Sequence, residues 1–277
     1  VHTSEWIAGF AVWIGGCLHL PVVCKVATLP VMRPLDRAIP FRRRLATLRT
    51  RCEFMAQNEA QADELRSTGI DAARIRVIPN SVTIPDVSQR EPDGNLVLFV
   101  GNLTQMNAHK AFDVLFDGWA ELVSRCPDAR LVVAGAGESS EWEARLEARN
   151  ARASVEFLGR VDNVDDYYRR AAVFVLPSRQ EGLSNALLES QSWGVPAVVS
   201  DIPGNVGVVT NGENGFVVSV DDVSALADGM ETLLKDDAKR DAMGRKARER
   251  MERGFNIAAI AQTVESTYEC LVADAVA

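Results

Sequence analysis

From Asn95 to Ser200 the sequence switches repeatedly between two hydrophobic periods, and few architectures accommodate that. The apolar runs Asn95 to Val100, Leu131 to Ala134, Val155 to Leu158, Val173 to Leu176 and Ala197 to Ser200 have strand length. Between the first two, Phe112, Leu115, Phe116, Trp119, Leu122 and Val123 recur at the spacing that lines one face of a helix. The same reading predicts a polar helix from about Ser140, a helix over Val164 to Ala171, and another from about Ser184 to Trp193. Strands alternating with helices of this length imply right-handed crossovers and a parallel sheet covered on both faces. A doubly wound α/β domain is therefore expected over residues 95–255.

The chain has 277 residues, enough for about two domains of roughly 100–200 residues each. Residues 1–82 are expected to form a second, partial α/β domain, with a strand and helix over 53–66 and a short strand from Arg74 to Pro79. Val82 to Gly94 is rich in Pro, Asp and Ser without periodicity, so 83–94 reads as a linker. Trp6 to Val23 is the most apolar stretch, and its length would admit a membrane span. Gly9, Gly15, Gly16, His19 and Pro21 interrupt it, which favours a buried helix and strand. The last third is helical, with a charged, solvent-facing helix over Lys235 to Arg253 and an apolar stripe from Ile257 to Leu271.

Composition excludes several classes. With 47% hydrophobic and 25% charged residues the chain is neither disordered nor fibrous. A net charge of −8 argues against nucleic acid as a partner, because phosphates must be neutralised by Lys and Arg. Five cysteines in an odd set without metal-ligand spacing argue against a disulfide framework or a zinc site, and fit a cytoplasmic location. An Arg-rich segment over 33–51 reads either as a solvated helix face or as a peripheral contact with anionic lipid at the inner face of a membrane.

In a parallel sheet, ligands sit at the carboxyl ends of the strands. The loop after Ala134, Gly135-Ala136-Gly137, lacks the third glycine of a dinucleotide fingerprint. The loop after Leu176 says more: Pro177-Ser178-Arg179-Gln180-Glu181-Gly182-Leu183-Ser184-Asn185-Ala186-Leu187-Leu188-Glu189. Ser184 or Asn185 would cap a helix whose free amides suit a diphosphate, and Gly182 lets backbone approach a ligand. Glu181 stands just outside that helix and Glu189 inside it, both able to accept hydrogen bonds from sugar hydroxyls. One site could thus hold sugar, diphosphate and ribose, the layout of a nucleotide sugar.

This run, with Gly194-Val195-Pro196-Ala197-Val198-Val199, Val100-Gly101-Asn102-Leu103, Phe157-Leu158-Gly159 and Asn211-Gly212-Glu213-Asn214-Gly215-Phe216, closely resembles the retaining glycosyltransferases of family 4, group 1, with the GT-B fold. The resemblance implies that Glu181 binds donor-sugar hydroxyls and that the amides of Gly182, Leu183, Ser184 and Asn185 bind the diphosphate or sugar. It implies further that Glu189 binds the ribose, that Gly159, Arg160 and Val161 flank the base, and that Lys110 is the cation at the diphosphate, near Gly101 and Asn102. In the family an Arg usually follows the first-strand glycine, with a Lys five residues later; here Asn102 follows Gly101 and Lys110 comes eight residues on. His109 is a candidate replacement. A histidine usual in the first domain falls at Ala27, with Lys25 and Thr28 nearby. The usual first strand and glycine-rich loop of that domain are not visible, so the acceptor half looks short or truncated.

The expected activity is retaining transfer of a hexose from a nucleoside-diphosphate sugar to a glycan or lipid-linked acceptor, with no cofactor and no metal. No Asp-x-Asp, the carboxylate pair that would hold a divalent ion on a diphosphate, occurs in the sequence. Two alternatives stay open: a catalytically silent nucleotide-sugar-binding fragment, and an NAD-dependent oxidoreductase resting on Gly135-Ala136-Gly137.

Overall fold

The computed structural model describes residues 2–4, 22–26, 52–88 and 90–276. They fall into two compact units, residues 1–81 with 257–277, and residues 82–256. Most of the apolar stretch 6–23, the Arg-rich segment 33–51, and Ala27 and Thr28 lie outside the described residues. Among the described residues no helix is long and apolar enough to cross a membrane.

In the first unit β1 (His2–Ser4), β2 (Val22–Lys25), β3 (Cys52–Ala56) and β4 (Ile75–Val77) form a parallel sheet in that order. Side chains alternate between its faces. Val22, Cys24, Cys52 and Phe54 pack with Ala62 and Leu65 of α1 (Glu59–Ser67), while Val23 and Met55 pack with Ile78 and with Leu271 of the last helix, Ile257–Val276. Asn58 starts α1 by accepting the Gln61 amide at 3.0 Å.

In the second unit six parallel strands stand in the order β10-β9-β8-β5-β6-β7. They are β5 (Leu96–Val100), β6 (Arg130–Ala134), β7 (Val155–Gly159), β8 (Val173–Leu176), β9 (Ala197–Ser200) and β10 (Gly215–Val218). Connecting them are α2 (Phe112–Arg125), α3 (Ser140–Glu147), α4 (Asp165–Arg170), α5 (Asn185–Ser192) and α6 (Pro203–Val206); α7 (Val223–Lys235) and α8 (Asp237–Gly254) follow. β8 and β9 are buried at every position, which is why their sequences are continuous apolar runs. The linker-like segment has no regular element, yet it is laid against this unit: the Arg90 guanidinium donates to the Ala171 carbonyl at 2.9 Å and the Asp93 amide to the Arg170 carbonyl at 2.8 Å. β10 and α6 are elements that hydrophobic period does not reveal. β10 is half-buried beyond Gly215, and α6 spans four residues.

Candidate functional site

The chain leaves β5 toward β6 and β7 on one side and returns to β8, β9 and β10 on the other. The order reverses between β5 and β8, and the loops at their carboxyl ends part there. A cavity of about 460 Å³ lies at that point, lined from β5 by Gly101 and Asn102, from β6 by Gly135 and Ala136, and from beyond β8 by residues between Glu181 and Glu189.

The loops after β5 and β6 are zipped together. The Gly101 amide donates to the Ala134 carbonyl at 2.9 Å and the Leu103 amide to the Ala136 carbonyl at 2.8 Å. The Asn102 side-chain oxygen accepts the Ala136 amide at 2.9 Å. A Cβ on Gly135 would stand 2.1 Å from the Gly101 carbonyl oxygen, and one on Gly137 2.1 Å from that of Leu103. The Gly-x-Gly is therefore explained by two backbones in contact. The Gly159 carbonyl accepts the Gly135 amide at 2.9 Å, and φ of +65° at Gly159 is the left-handed conformation that glycine adopts without cost.

Across the cavity Glu181 is held from two sides. Its Oε1 accepts from Lys110 Nζ at 2.8 Å and from Ser178 Oγ at 2.9 Å. Only 14% of the Lys110 side chain and 11% of the Glu181 side chain are exposed, so this pair is largely desolvated. The lysine stem crosses Gly101, where a Cβ would meet Lys110 Cδ at 2.9 Å. Behind the loop, buried Ser200 donates to the Ser178 carbonyl, and Asn205 Nδ2 donates to the carbonyl and hydroxyl oxygens of Ser200, each at 3.1 Å. Gly204 completes this support. A Cβ there would lie 2.6 Å from the Gly182 carbonyl oxygen and 2.7 Å from that of Glu181.

α5 opens at the cavity with Ser184 as its cap, whose side chain accepts the Leu187 amide at 3.4 Å. One turn on, Glu189 Oε2 accepts from the Tyr168 hydroxyl at 3.0 Å. Burial holds the Glu189 carboxyl above the usual carboxylate range; the Tyr168 hydrogen bond pulls it down and Asp165 pushes it further up. Burial against that carboxylate keeps the Tyr168 hydroxyl protonated well above the ordinary tyrosine range. On its far side α5 is latched through Gln191, whose Oε1 accepts from Asn214 Nδ2 at 2.7 Å. Asn214 is buried, so the Asn211 to Phe216 motif braces the helix from behind.

Of the residues singled out from the sequence, the cavity brings together Gly101, Asn102, Lys110, Arg160 and Val161, and across from them Glu181, Leu183, Ser184, Asn185 and Glu189. Gly159, Gly182 and His109 are not among the described lining residues; Gly159 supports Gly135, and the Gly182 carbonyl packs on Gly204. His109 contributes its carbonyl, which accepts the Arg179 amide at 2.7 Å. In the first unit Lys25 Nζ and Gln57 Nε2 both donate to Asn80 Oδ1 at 2.9 Å. Tyr168, Ser200, Gly204 and Asn205 were not recognisable as site residues from the sequence, because each reaches the site through a partner distant in the chain or as bare backbone, while Ser178, inside the recognised loop, gains its role only from its bond to Glu181.

This α/β architecture of parallel sheets is that of the GT-B glycosyltransferases. Anabaena HepE, solved in complex with UDP, matches with a TM-score of 0.82 at 16% identity, over 97% of this chain and 78% of that one. The profile of the glycosyl transferases group 1 family matches residues 94–236, and the chain belongs to that family. It is 29% identical over 178 residues to the capsular polysaccharide biosynthesis glycosyltransferase CapM of Staphylococcus aureus, covering 64% of this chain and 46% of CapM. It is 30% identical over 182 residues to the lipopolysaccharide core biosynthesis mannosyltransferase LpsB of Rhizobium meliloti, covering 63% of this chain and 52% of LpsB. The chain thus spans about half the length of the curated relatives it matches.

Proposed function

We propose that the chain carries the donor site of a retaining, metal-independent hexosyltransferase, which moves a hexose from a nucleoside-diphosphate sugar to a hydroxyl of a glycan or lipid-linked acceptor. One arrangement carries the reading: Glu181 before and Glu189 within α5, whose amino end opens on a cavity of about 460 Å³ at the sheet's switch point. The positive dipole end of α5 suits a diphosphate. Glu181 takes hydroxyls of the sugar, Glu189 those of the ribose, and Arg160 and Val161 flank the base. Lys110 meets the negative charge that grows on the departing nucleotide, which is where a fixed cation lowers a barrier most. Polysaccharide, glycolipid or cell-envelope glycan synthesis at the cytoplasmic face of a membrane is the setting we infer, in keeping with the names of CapM and LpsB.

Calorimetric titration of the chain with UDP, GDP and ADP tests the donor site. Binding of at least one is expected, with Glu189→Ala weakening the free nucleotide and Glu181→Ala weakening only the intact sugar donor. Failure of all three to bind removes the assignment.

A further inference from the structure

Tyr168 is the buried residue of α4, 1% exposed, with its ring 6.3 Å from that of Phe174 in β8. A phenol driven into a core must find a partner for its hydroxyl. It finds Glu189 Oε2, at 3.0 Å, on a residue that also lines the cavity. A carboxylate has two oxygens and about four lone-pair sites, so one donated bond from the core side leaves Glu189 with acceptor capacity to spare. That bond also restrains rotation of the carboxyl group.

We infer that Tyr168 is a positioning residue for ligand recognition: its hydroxyl holds the Glu189 carboxylate by one oxygen and presents the other to the cavity as an acceptor for ligand hydroxyls. The identity of that ligand, the ribose of a nucleotide, rests on the donor-site reading above. The charge state matters as much as the orientation. A neutral carboxylic acid would donate one hydrogen bond and lose an acceptor, which suits two vicinal hydroxyls less well. The titratable groups around Glu189 are Tyr168 and Asp165 of α4, and across the cavity Lys110, Arg160 and Glu181. Burial and Asp165 favour protonation, and the Tyr168 hydrogen bond is the counterweight. Asp165 itself accepts from Trp193 Nε1 at 3.2 Å, which fixes it beside α5.

The experiment uses the full chain with glutamates labelled at the side-chain carboxyl carbon, the Glu189 signal being identified by its loss in Glu189→Gln. In Tyr168→Phe the Glu189 titration midpoint, read by NMR, should move upward; an unchanged midpoint overturns the inference. In parallel, UDP, GDP and ADP and their 2′,3′-dideoxy counterparts are titrated calorimetrically. Tyr168→Phe should weaken the ribonucleotide about tenfold, the effect of losing one hydrogen bond to a charged group. The loss should grow as pH falls, vanish for the dideoxy nucleotide, and vanish in the Glu189→Gln background, as coupled partners require. Equal weakening of ribo- and dideoxynucleotide, or weakening independent of pH, marks a packing role and overturns it. If no nucleotide binds the wild type, the donor-site reading fails, while the carboxyl titration still decides what Tyr168 does to Glu189. Should Tyr168→Phe not fold, the hydroxyl-bearing ring carbon of Tyr168 in the wild type must follow the Glu189 titration, and its failure to do so also overturns the inference.

Discussion

Removing Lys110 exposes how the site is held before any ligand arrives. Its Nζ stands 2.8 Å from Glu181 Oε1, with 14% and 11% of the two side chains exposed. At an effective dielectric of roughly 20 the gross attraction at that distance is about 6 kcal/mol, most of it offset by the desolvation of both groups. Lys110→Met therefore loses much more than the net worth of the pair, because it strands a largely buried carboxylate with the neutral Ser178 hydroxyl as a donor and, among the described residues, no cation bonded to it. Breaking a fully buried pair costs about 3–5 kcal/mol, and the residual exposure here places the expected loss near the lower limit, about 3 kcal/mol. Removing both charges, in Lys110→Met with Glu181→Met, should return stability to within about 1 kcal/mol of the wild type, since no buried charge is then stranded. Urea unfolding followed by tryptophan fluorescence measures both, Trp119 being fully buried in the second unit. A single variant that loses less than about 0.5 kcal/mol, or a double variant as unstable as the single, would refute the claim that the pair is desolvated and mutually dependent. Activity does not follow stability here. On the proposed function, the double variant should fold and still lose sugar-donor binding, both groups proposed to meet the donor being gone.

Two further outcomes follow from the same site. Because burial holds the folded Glu189 carboxyl above its ordinary value of 4.5, the folded chain binds that proton more tightly than the unfolded one; the resulting stability is full below 4.5 and is lost as pH rises through the folded value. Glu189→Gln should accordingly melt higher than the wild type at neutral pH and lose that advantage as the pH is lowered toward 4.5, in melting curves taken from pH 4 to 8. Gly204→Ala should cost about 1–3 kcal/mol by overpacking, since its Cβ would lie 2.6 Å from a backbone oxygen. The displaced atoms belong to Glu181 and Gly182, so sugar-donor affinity should fall in calorimetry although no side chain of the site has changed.

The second unit was legible in the sequence chiefly because four of its strands, β5, β6, β8 and β9, are buried at all but at most one position. Leu96–Val100, Arg130–Ala134, Val155–Gly159, Val173–Leu176 and Ala197–Ser200 lie within a residue of the apolar runs that announce them. β10 escaped that reading because its buried position is a glycine, Gly215, where a Cβ would stand 2.2 Å from the Ala197 carbonyl oxygen. Glu181, Ser184 and Glu189 were visible because a single loop and helix carry them all. Tyr168 lies 21 positions before Glu189, and Ser200 lies 22 after Ser178. Pairings of that span leave no mark on local periodicity, and Gly204 acts through an atom it lacks.

The Asn102 departure changes how a diphosphate can be met in this cavity. Asn102 does not stand free as a weak substitute for a cation, because its side-chain oxygen is engaged by the Ala136 amide. Among the described lining residues the cations are Lys110 and Arg160, and the carboxylates Glu181 and Glu189, so the side chains balance. The amino end of α5 then supplies net attraction for an anion, through the partial positive charge of its dipole, about half a unit. Lys110 can add to that attraction with the donors its bond to Glu181 leaves over, since an ammonium carries three. On the proposed donor reading, sugar hydroxyls that share the Glu181 oxygen would draw the lysine further toward the diphosphate, whereas a free nucleotide, lacking the sugar, would leave the pair as it stands. On the donor reading proposed above, the sugar and the diphosphate of one ligand would be recognised together, Glu181 and Lys110 each meeting one half while bonded to the other.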